Sequence, residues 1–405
     1  MDLRYSRLNA FARDDRVGSI WWVDSVLVTS HGHPFRRSSI HWAVIATLAM
    51  ILPGCATRPG PEVLTPVAIA PGVKTLQVYV ATTRERQSPS ENVFTANRAN
   101  ALNFAKFVIS VPPNHKPGEI EMPTNPSDPQ TSFAVLDQAV MSEADFHKAV
   151  APQRADRRKK QKVFVFVHGF NNNFQESLFR LAQLQADAKI DGIPILFSWP
   201  SQAQVAAYAT DQDAASYSRD YLMTLLTMLT RSPEVGDILV VGHSMGAMLT
   251  ADALQQLRAE GKNQVIARLG RVVLAAPDIN AQTFRAQVQA IGPLKPPLLV
   301  LVSKDDGALQ MSSFLSGGGV PRTGALDVNN PVVQEAALKA KVQVVDISHL
   351  ESRDGLKHDQ FVSVAVLYSR MQQTMPNRNS AGTFVLNGDS ATLQPVASGR
   401  QALAQ

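Results

Sequence analysis

The segment Ile238-Leu239-Val240-Val241-Gly242-His243-Ser244-Met245-Gly246 joins a continuous apolar run to a G-x-S-x-G motif. Apolar residues then recur at helical spacing through residues 245–257, so the motif is predicted to lie on the turn between a buried strand and a helix. At such a turn the glycines allow close backbone contacts, and the serine hydroxyl projects from the carboxyl end of the sheet. The sequence therefore predicts that Ser244 is a nucleophile on an elbow formed by Gly242, His243 and Gly246.

Similar apolar runs, with helical patterns between them, occur on both sides of this segment. Continuous apolar runs are typical of strands that are buried on both faces, and their alternation with helices predicts an α/β fold with a mostly parallel central sheet flanked by helices. Three earlier runs, separated by turn-rich segments, predict an antiparallel N-terminal extension at 76–81, 104–111 and 133–140. The strands predicted for the central sheet are 163–167, 193–197, 238–241, 272–275, 298–302 and 342–345.

The composition excludes several classes of protein. A chain of 405 residues with 45% hydrophobic residues can bury a sizeable core, which excludes a disordered or fibrous protein. The formal net charge of only +5 gives no indication of nucleic-acid binding. The single cysteine, Cys55, excludes internal disulfides, cysteine-rich zinc sites and iron–sulfur clusters.

A second motif, His168-Gly169-Phe170-Asn171, follows the first predicted strand of the central sheet. Acyl transfer needs amide donors for the oxyanion of its tetrahedral intermediate, and a loop of this kind supplies one of them in hydrolases with a G-x-S-x-G elbow. The predicted oxyanion donors are the amides of Phe170 and Met245. His168 precedes the nucleophile and ends a buried strand, so a structural role is expected for it.

The general base is sought among the nine histidines by position. Besides His168, three lie in the amino-terminal segment, two lie in the N-terminal extension, and His243 is expected to diverge from Ser244 on a tight turn. Two candidates follow the last predicted strand of the central sheet, and the order of the chain fits either of them. They are His349 and His358.

The acid that orients this imidazole is predicted to follow the strand at 298–302. That position holds Asp305 and Asp306, and two adjacent aspartates point in different directions, so only one can serve. We predict Asp306 as the acid and Asp305 as an exposed loop charge. Asp278, which follows the preceding strand, is the alternative.

Six motifs in order resemble a bacterial family of esterase/lipase-superfamily α/β-hydrolases of largely unknown function. The resemblance covers about residues 75–370, including Tyr79-Val80-Ala81-Thr82-Thr83-Arg84, and it implies the α/β-hydrolase fold. The family pattern includes His358-Asp359-Gln360-Phe361, which favours His358 over His349, and it implies no particular substrate. The motifs are at 163–173, Phe197-Ser198-Trp199-Pro200-Ser201, 242–246, Ala276-Pro277-Asp278-Ile279, 303–309 and 358–361.

The amino terminus carries the signals of a lipoprotein. The apolar run at 40–52 follows Arg36-Arg37 and is shorter than the ~20 residues of a membrane-spanning helix, as in a signal peptide. It ends in Leu52-Pro53-Gly54-Cys55, which resembles the lipobox of bacterial lipoproteins. We therefore expect lipidation at Cys55 and a location on the periplasmic side of a membrane. The residue after the cysteine, Ala56, resembles that of lipoproteins directed to the outer membrane, so the resemblance implies this location.

These patterns divide the chain into five predicted parts. They are a signal peptide at 1–54, whose long leading section we interpret as a start codon placed too far upstream, a lipid-anchor cysteine with a Pro-rich tether at 55–74, an N-terminal strand section at 75–157, a catalytic core at 158–370 and a flexible tail at 371–405. The predicted function is cleavage of a carboxylic ester, from a small molecule or a lipid, by a serine hydrolase that needs no metal or organic cofactor. The alternatives are an amidase or acyltransferase with the same triad, and a non-catalytic envelope lipoprotein that binds a partner.

Overall fold

A computed structural model describes residues 58–151, 160–374 and 380–396. Within these residues, eleven strands form one sheet. The strands are β1 Lys74–Arg86, β2 Phe94–Val111, β3 Ala134–Met141, β4 Gln161–Val167, β5 Ile193–Ser198, β6 Val235–His243, β7 Arg271–Ala275, β8 Leu299–Val302, β9 Gln343–Asp346, β10 Gly382–Asn387 and β11 Thr392–Pro395. Their spatial order is β11-β10-β9-β8-β7-β6-β4-β5-β1-β2-β3.

Most of the sheet is parallel, and its two ends are antiparallel. Strands β1, β5, β4 and β6 to β10 pair in parallel, whereas β2, β3 and β11 pair antiparallel with their neighbours. The α/β class, the parallel centre and the antiparallel N-terminal extension are therefore confirmed. The first strand of that extension, β1, joins the parallel part directly, because it pairs with β5.

Helices cover both faces of the sheet. The helices are α1 Glu143–Val150, α2 Phe174–Ala188, α3 Tyr208–Arg231, α4 Met245–Ala259, α5 Asn263–Ala267, α6 Ala281–Ile291, α7 Gly307–Leu315, α8 Pro331–Ala340 and α9 Phe361–Thr374. One face of the sheet packs against α3, α4 and α6, and the other packs against α2 and α9, so that side chains alternate along each strand between two apolar layers.

The prediction of an extended tether at 55–74 is wrong for residues 58–64. Val63 and Leu64 are buried in a short 3₁₀ turn at Pro61–Leu64, so the prolines support a packed turn and not an extended spacer. Arg58 donates hydrogen bonds to the carbonyl and the side-chain oxygen of Asn171 and pairs with Glu176 at 3.2 Å. Cys55, the apolar run at 40–52 and the rest of the predicted signal peptide lie outside the described residues.

The prediction of a flexible tail at 371–405 is also wrong in part. Strand β10 extends the parallel sheet beside β9, and β11 closes that edge. Phe384 and Leu386 are buried. The short stretch Thr383-Phe384-Val385-Leu386 was hidden by the polar residues around it, although β10 pairs with a neighbour on each side and buries Phe384 and Leu386.

In the part of the chain that the structure describes, no helix combines the length and the apolar character needed to cross a bilayer.

Candidate active site

Ser244 lies on a sharp turn between β6 and α4. Its backbone has φ +55° and ψ −119°, a region that non-glycine residues rarely occupy and that costs of order 1–3 kcal/mol. The turn is possible because Gly246 lacks a side chain: a Cβ there would lie 2.2 Å from the carbonyl oxygen of His168. The serine amide donates to the carbonyl of Ala275 at 2.9 Å, which fixes the strained residue to the neighbouring strand.

The loop after β4 lies directly against this serine. A Cβ placed on Gly169 would lie 3.1 Å from the Cβ of Ser244, so only glycine fits there without displacing its neighbours. Phe170 is the next residue of this loop. Met245 is the first residue of α4, and its amide has no acceptor within the helix, as is general for the first turn. The structure thus brings the two predicted oxyanion residues to the surroundings of Ser244.

His168 and Trp199 hold the start of this loop. Their rings stack at 4.8 Å, and the indole Nε1 donates to the carbonyl of His168 at 2.7 Å. Burial lowers the pKa of His168 to about 3, and the charge of Arg84 acts in the same direction, so this imidazole is neutral. His168 therefore acts as a fixed structural group, as expected from its position in the sequence.

Arg84, at the end of β1, holds the next part of the loop. Its guanidinium donates to the carbonyls of Asn172 and Ser201 and to the hydroxyl of Ser198, and it is almost fully buried. Burial lowers its pKa to about 10, so it keeps its charge at neutral pH. The N-terminal extension thus supplies a residue that fixes the loop beside Ser244.

Asp306 and His358 form a direct hydrogen bond. The Nδ1 of His358 lies 2.7 Å from one carboxylate oxygen of Asp306, and the other oxygen accepts from the amide of Leu309 as the N-cap of α7. Asp306 is fully buried, whereas the imidazole keeps 17% of its side-chain surface exposed. One carboxylate therefore begins a helix and orients an accessible imidazole.

The pKa of His358 is raised above its usual value. Burial alone would lower it, but the hydrogen bond to Asp306 and the charge of that carboxylate outweigh burial, as expected for an imidazolium beside an anion. His243 packs behind it, with ring centroids 4.7 Å apart, and stacks on Phe361 at 4.2 Å. Burial and the charge of His358 hold the pKa of His243 well below its usual value, so His243 is a neutral packing partner.

A protein family described as an alpha/beta hydrolase of unknown function (DUF900) matches residues 142–378. The chain belongs to this family. No curated protein sequence matches the hydrolase. Two solved structures resemble it at low identity. A protein with a provisional hydrolase name from Agrobacterium vitis S4 is 13% identical, with 57% of this chain and 86% of that chain covered and a TM-score of 0.28. A lipase-esterase related protein from Clostridium acetobutylicum ATCC 824 is 12% identical, with 52% and 83% covered and a TM-score of 0.22.

The alternatives for acid and base occupy different places in this hydrolase. His349 is exposed, and so is Asp305, whose carboxylate lies 3.8 Å from the Nζ of Lys357. Asp278 is buried, and its oxygens accept from the hydroxyls of Tyr208 at 2.7 Å and Ser312 at 2.5 Å. The geometry therefore favours Asp306 and His358 as partners.

From the sequence alone, no role was assigned to three residues that contribute to the candidate site. Arg322 is buried and pairs with Asp278 at 3.1 Å. Tyr208 packs its ring edge-to-face on Phe170 and bonds Asp278, and burial together with that carboxylate raises its pKa to about 12. Arg84 belongs to the motif Tyr79-Val80-Ala81-Thr82-Thr83-Arg84, so an arginine at the end of a predicted strand was a usable signal. The sequence around Tyr208 and Arg322 carried no such signal.

Among the described residues, no cluster of three or more His, Cys, Asp or Glu could hold a metal ion.

Proposed function

We propose that the protein is a serine hydrolase that cleaves a carboxylic ester through an acyl-enzyme on Ser244, with His358 as general base and Asp306 as the orienting acid. The observation that supports this most directly is the Asp306–His358 hydrogen bond of 2.7 Å, with the ring of His358 4.7 Å from that of His243, the residue before the strained Ser244. These are the parts that a Ser-His-Asp mechanism requires, in the chain order of α/β-hydrolases.

In the first half-reaction, the Oγ of Ser244 forms a bond to the acyl carbon while His358 takes the hydroxyl proton. The carbonyl oxygen becomes an oxyanion, for which the amides of Met245 and Phe170 are the proposed donors. Asp306 stabilises the imidazolium through its bond to Nδ1. When the carbon–oxygen bond of the ester breaks, His358 returns the proton to the leaving alcohol.

In the second half-reaction, water attacks the acyl-enzyme and His358 accepts the proton of the water. Collapse of the second tetrahedral intermediate releases the carboxylic acid and restores the Ser244 hydroxyl. The same residues can cleave an amide or transfer the acyl group to an alcohol, and no contact in the site favours either alternative over ester hydrolysis.

The test is labelling of the full chain with a fluorophosphonate probe, followed by a screen of esters of increasing acyl length. Ser244→Ala should remove both labelling and hydrolysis, whereas Ser369→Ala, an exposed serine on α9, should change neither. A parent chain that is neither labelled nor active would instead support a non-catalytic protein that binds a partner.

We further propose that the protein is lipidated at Cys55 and held at the periplasmic side of a membrane, as its Leu-Pro-Gly-Cys sequence predicts. Metabolic labelling with a palmitate analogue in a bacterial host tests this. A labelled parent and an unlabelled Cys55→Ser variant would support the anchor. An unlabelled parent that fractionates away from membranes would exclude it.

A further inference from the structure

Helix α7, which Asp306 caps, presents its apolar side chains to solvent. Met311, Phe314 and Leu315 are 51%, 80% and 58% exposed, and their spacing of three and four residues places them on one side of the helix. Leu356, which is 47% exposed, extends this row. Its Cδ2 lies 3.5 Å from where a Cβ on Gly307 would be, and Gly307 lies one helical turn before Met311. We call these four side chains the apolar stripe.

The buried side of α7 is more polar than its exposed side. Leu309 and Ser312 face inward, and Ser312 bonds Asp278 at 2.5 Å. A helix on the surface of a soluble protein normally has the opposite arrangement, with charged side chains outward. The stripe is therefore not explained by packing within the chain.

The segment that carries the stripe has no charged residue. From 307 to 320 there is no Asp, Glu, Lys, Arg or His, and the helix is followed by three exposed glycines with positive φ, Gly317-Gly318-Gly319. At the other end, Lys357 follows Leu356 in the chain and is exposed, with its Nζ 3.8 Å from a carboxylate oxygen of Asp305. An uncharged apolar surface with an exposed lysine at one end matches the boundary between acyl chains and phosphate headgroups.

We propose that the apolar stripe docks the protein on a phospholipid surface, with Met311, Phe314, Leu315 and Leu356 entering the headgroup region. A protein partner is the weaker fit, because protein interfaces combine an aromatic centre with a polar rim of hydrogen bonds, and this segment offers no charged group for one. Inserting an uncharged stripe into lipid has no such requirement.

The position of the stripe connects lipid docking to the proposed chemistry. The helix begins at Asp306, and its inward Ser312 bonds the aspartate whose amide donates to the carbonyl of Ser244 at 3.2 Å. A docked protein would thus hold one wall of its site against the lipid. This step rests on the proposed function, and it specifies the substrate as an ester carried in a lipid layer.

The first experiment measures docking without any hydrolysis. In full chains that carry Cys55→Ser, Phe314→Cys and, as a control, the 73% exposed Val332→Cys of α8 are each labelled with an environment-sensitive fluorophore. Vesicles of phosphatidylcholine and phosphatidylglycerol should shift the emission at position 314 to the blue and leave position 332 unchanged. The predicted signal peptide is present in both chains, so it cannot produce the difference.

The second experiment measures turnover. In Phe314→Ser/Leu315→Ser, hydrolysis of a long-chain ester in vesicles, divided by hydrolysis of a soluble short-chain ester, should fall by about tenfold or more, because two apolar contacts with lipid are lost. In Val332→Ser the ratio should stay at the parent value.

Three outcomes would overturn the inference. The first is an equal emission shift at positions 314 and 332, and the second is an unchanged ratio in the double variant. The third is an emission at 314 that is already shifted to the blue without vesicles, combined with a doubled mass, which would assign the stripe to a second copy of the chain. If the parent hydrolyses neither ester, the proposed function fails, and the emission at 314 still decides whether the stripe binds lipid.

Discussion

Asp306 and Asp278 are two buried carboxylates that follow neighbouring strands, β8 and β7, at the same edge of the sheet. Asp306 contacts one imidazole and one helix amide. Asp278 contacts the fixed cation of Arg322 and the hydroxyls of Tyr208 and Ser312. In the sequence both are an aspartate after a buried apolar run, so the strand-end position alone does not assign their roles.

The two carboxylates differ in whether they can stabilise a protonated imidazole. A carboxylate that faces a histidine can stabilise its cation when the imidazole accepts a proton, and the 17% exposure of His358 leaves that imidazole accessible. A carboxylate already paired with a buried arginine is neutralised by a permanent charge. We therefore expect Asp306 to govern turnover and Asp278 to govern stability.

The largest effect should come from Asp306→Asn. Asparagine keeps the shape of the side chain but removes the charge that stabilises the imidazolium, so kcat for a soluble ester should fall by about 10⁴-fold. Steady-state kinetics check this, with Asp305→Asn as the matched control at the neighbouring exposed aspartate. A variant within tenfold of the parent would remove Asp306 from the mechanism.

Asp278→Asn should instead lower stability, by about 3 kcal/mol, because it leaves the buried guanidinium of Arg322 without its counter-charge. Denaturant unfolding measures this, and kcat should change less than tenfold. Arg322→Met in the same chain should recover part of the loss, since the uncompensated charge is then gone. A triad-sized loss of kcat with unchanged stability would exchange the roles of the two aspartates.

Much of this arrangement could be predicted from the sequence, because it depends on local patterns. The six central strands are visible as apolar runs, and the elbow is visible as glycines around Ser244 between a strand and a helix. The contact between Asp306 and His358 follows from the order of strands in the sheet, which brings distant loops to one edge. Their catalytic roles stay predictions.

The rest could not be predicted because it depends on contacts between distant segments. Nothing near Arg322 in the sequence indicates that its guanidinium meets Asp278, 44 residues earlier. The turn at Pro61–Leu64 was predicted to be part of a tether because prolines are frequent in extended linkers, although they also occur in packed turns. Burial of Val63 and Leu64 depends on contacts with distant segments, which the local sequence does not indicate. Strand β10 contains only three consecutive apolar residues, Phe384-Val385-Leu386, and polar neighbours obscured them.

A smaller effect is expected from Tyr208→Phe. The change removes one hydrogen bond to Asp278 but keeps the ring that packs on Phe170, so the free energy of unfolding should fall by about 1–2 kcal/mol. Denaturant unfolding checks this, and kcat should stay close to the parent value. A large loss of kcat at unchanged stability would show that the hydroxyl acts on the substrate and not on Asp278.

The smallest effect should be on the pH dependence of turnover. His358 must be neutral to accept a proton, so kcat/KM falls as the pH drops through the pKa of His358, which lies above the ~6.5 of a free imidazole. The negative charges of Asp306 and, more weakly, of Asp354 and Asp278 favour the imidazolium. Removing the charge of Asp278 should therefore move the acidic limb of the profile to lower pH by a small amount, and removing that of Asp306 should move it further. Profiles of the two Asn variants measure this, with Asp305→Asn as the control. A larger shift in Asp278→Asn than in Asp306→Asn would mean that Asp278 is the carboxylate coupled to the base.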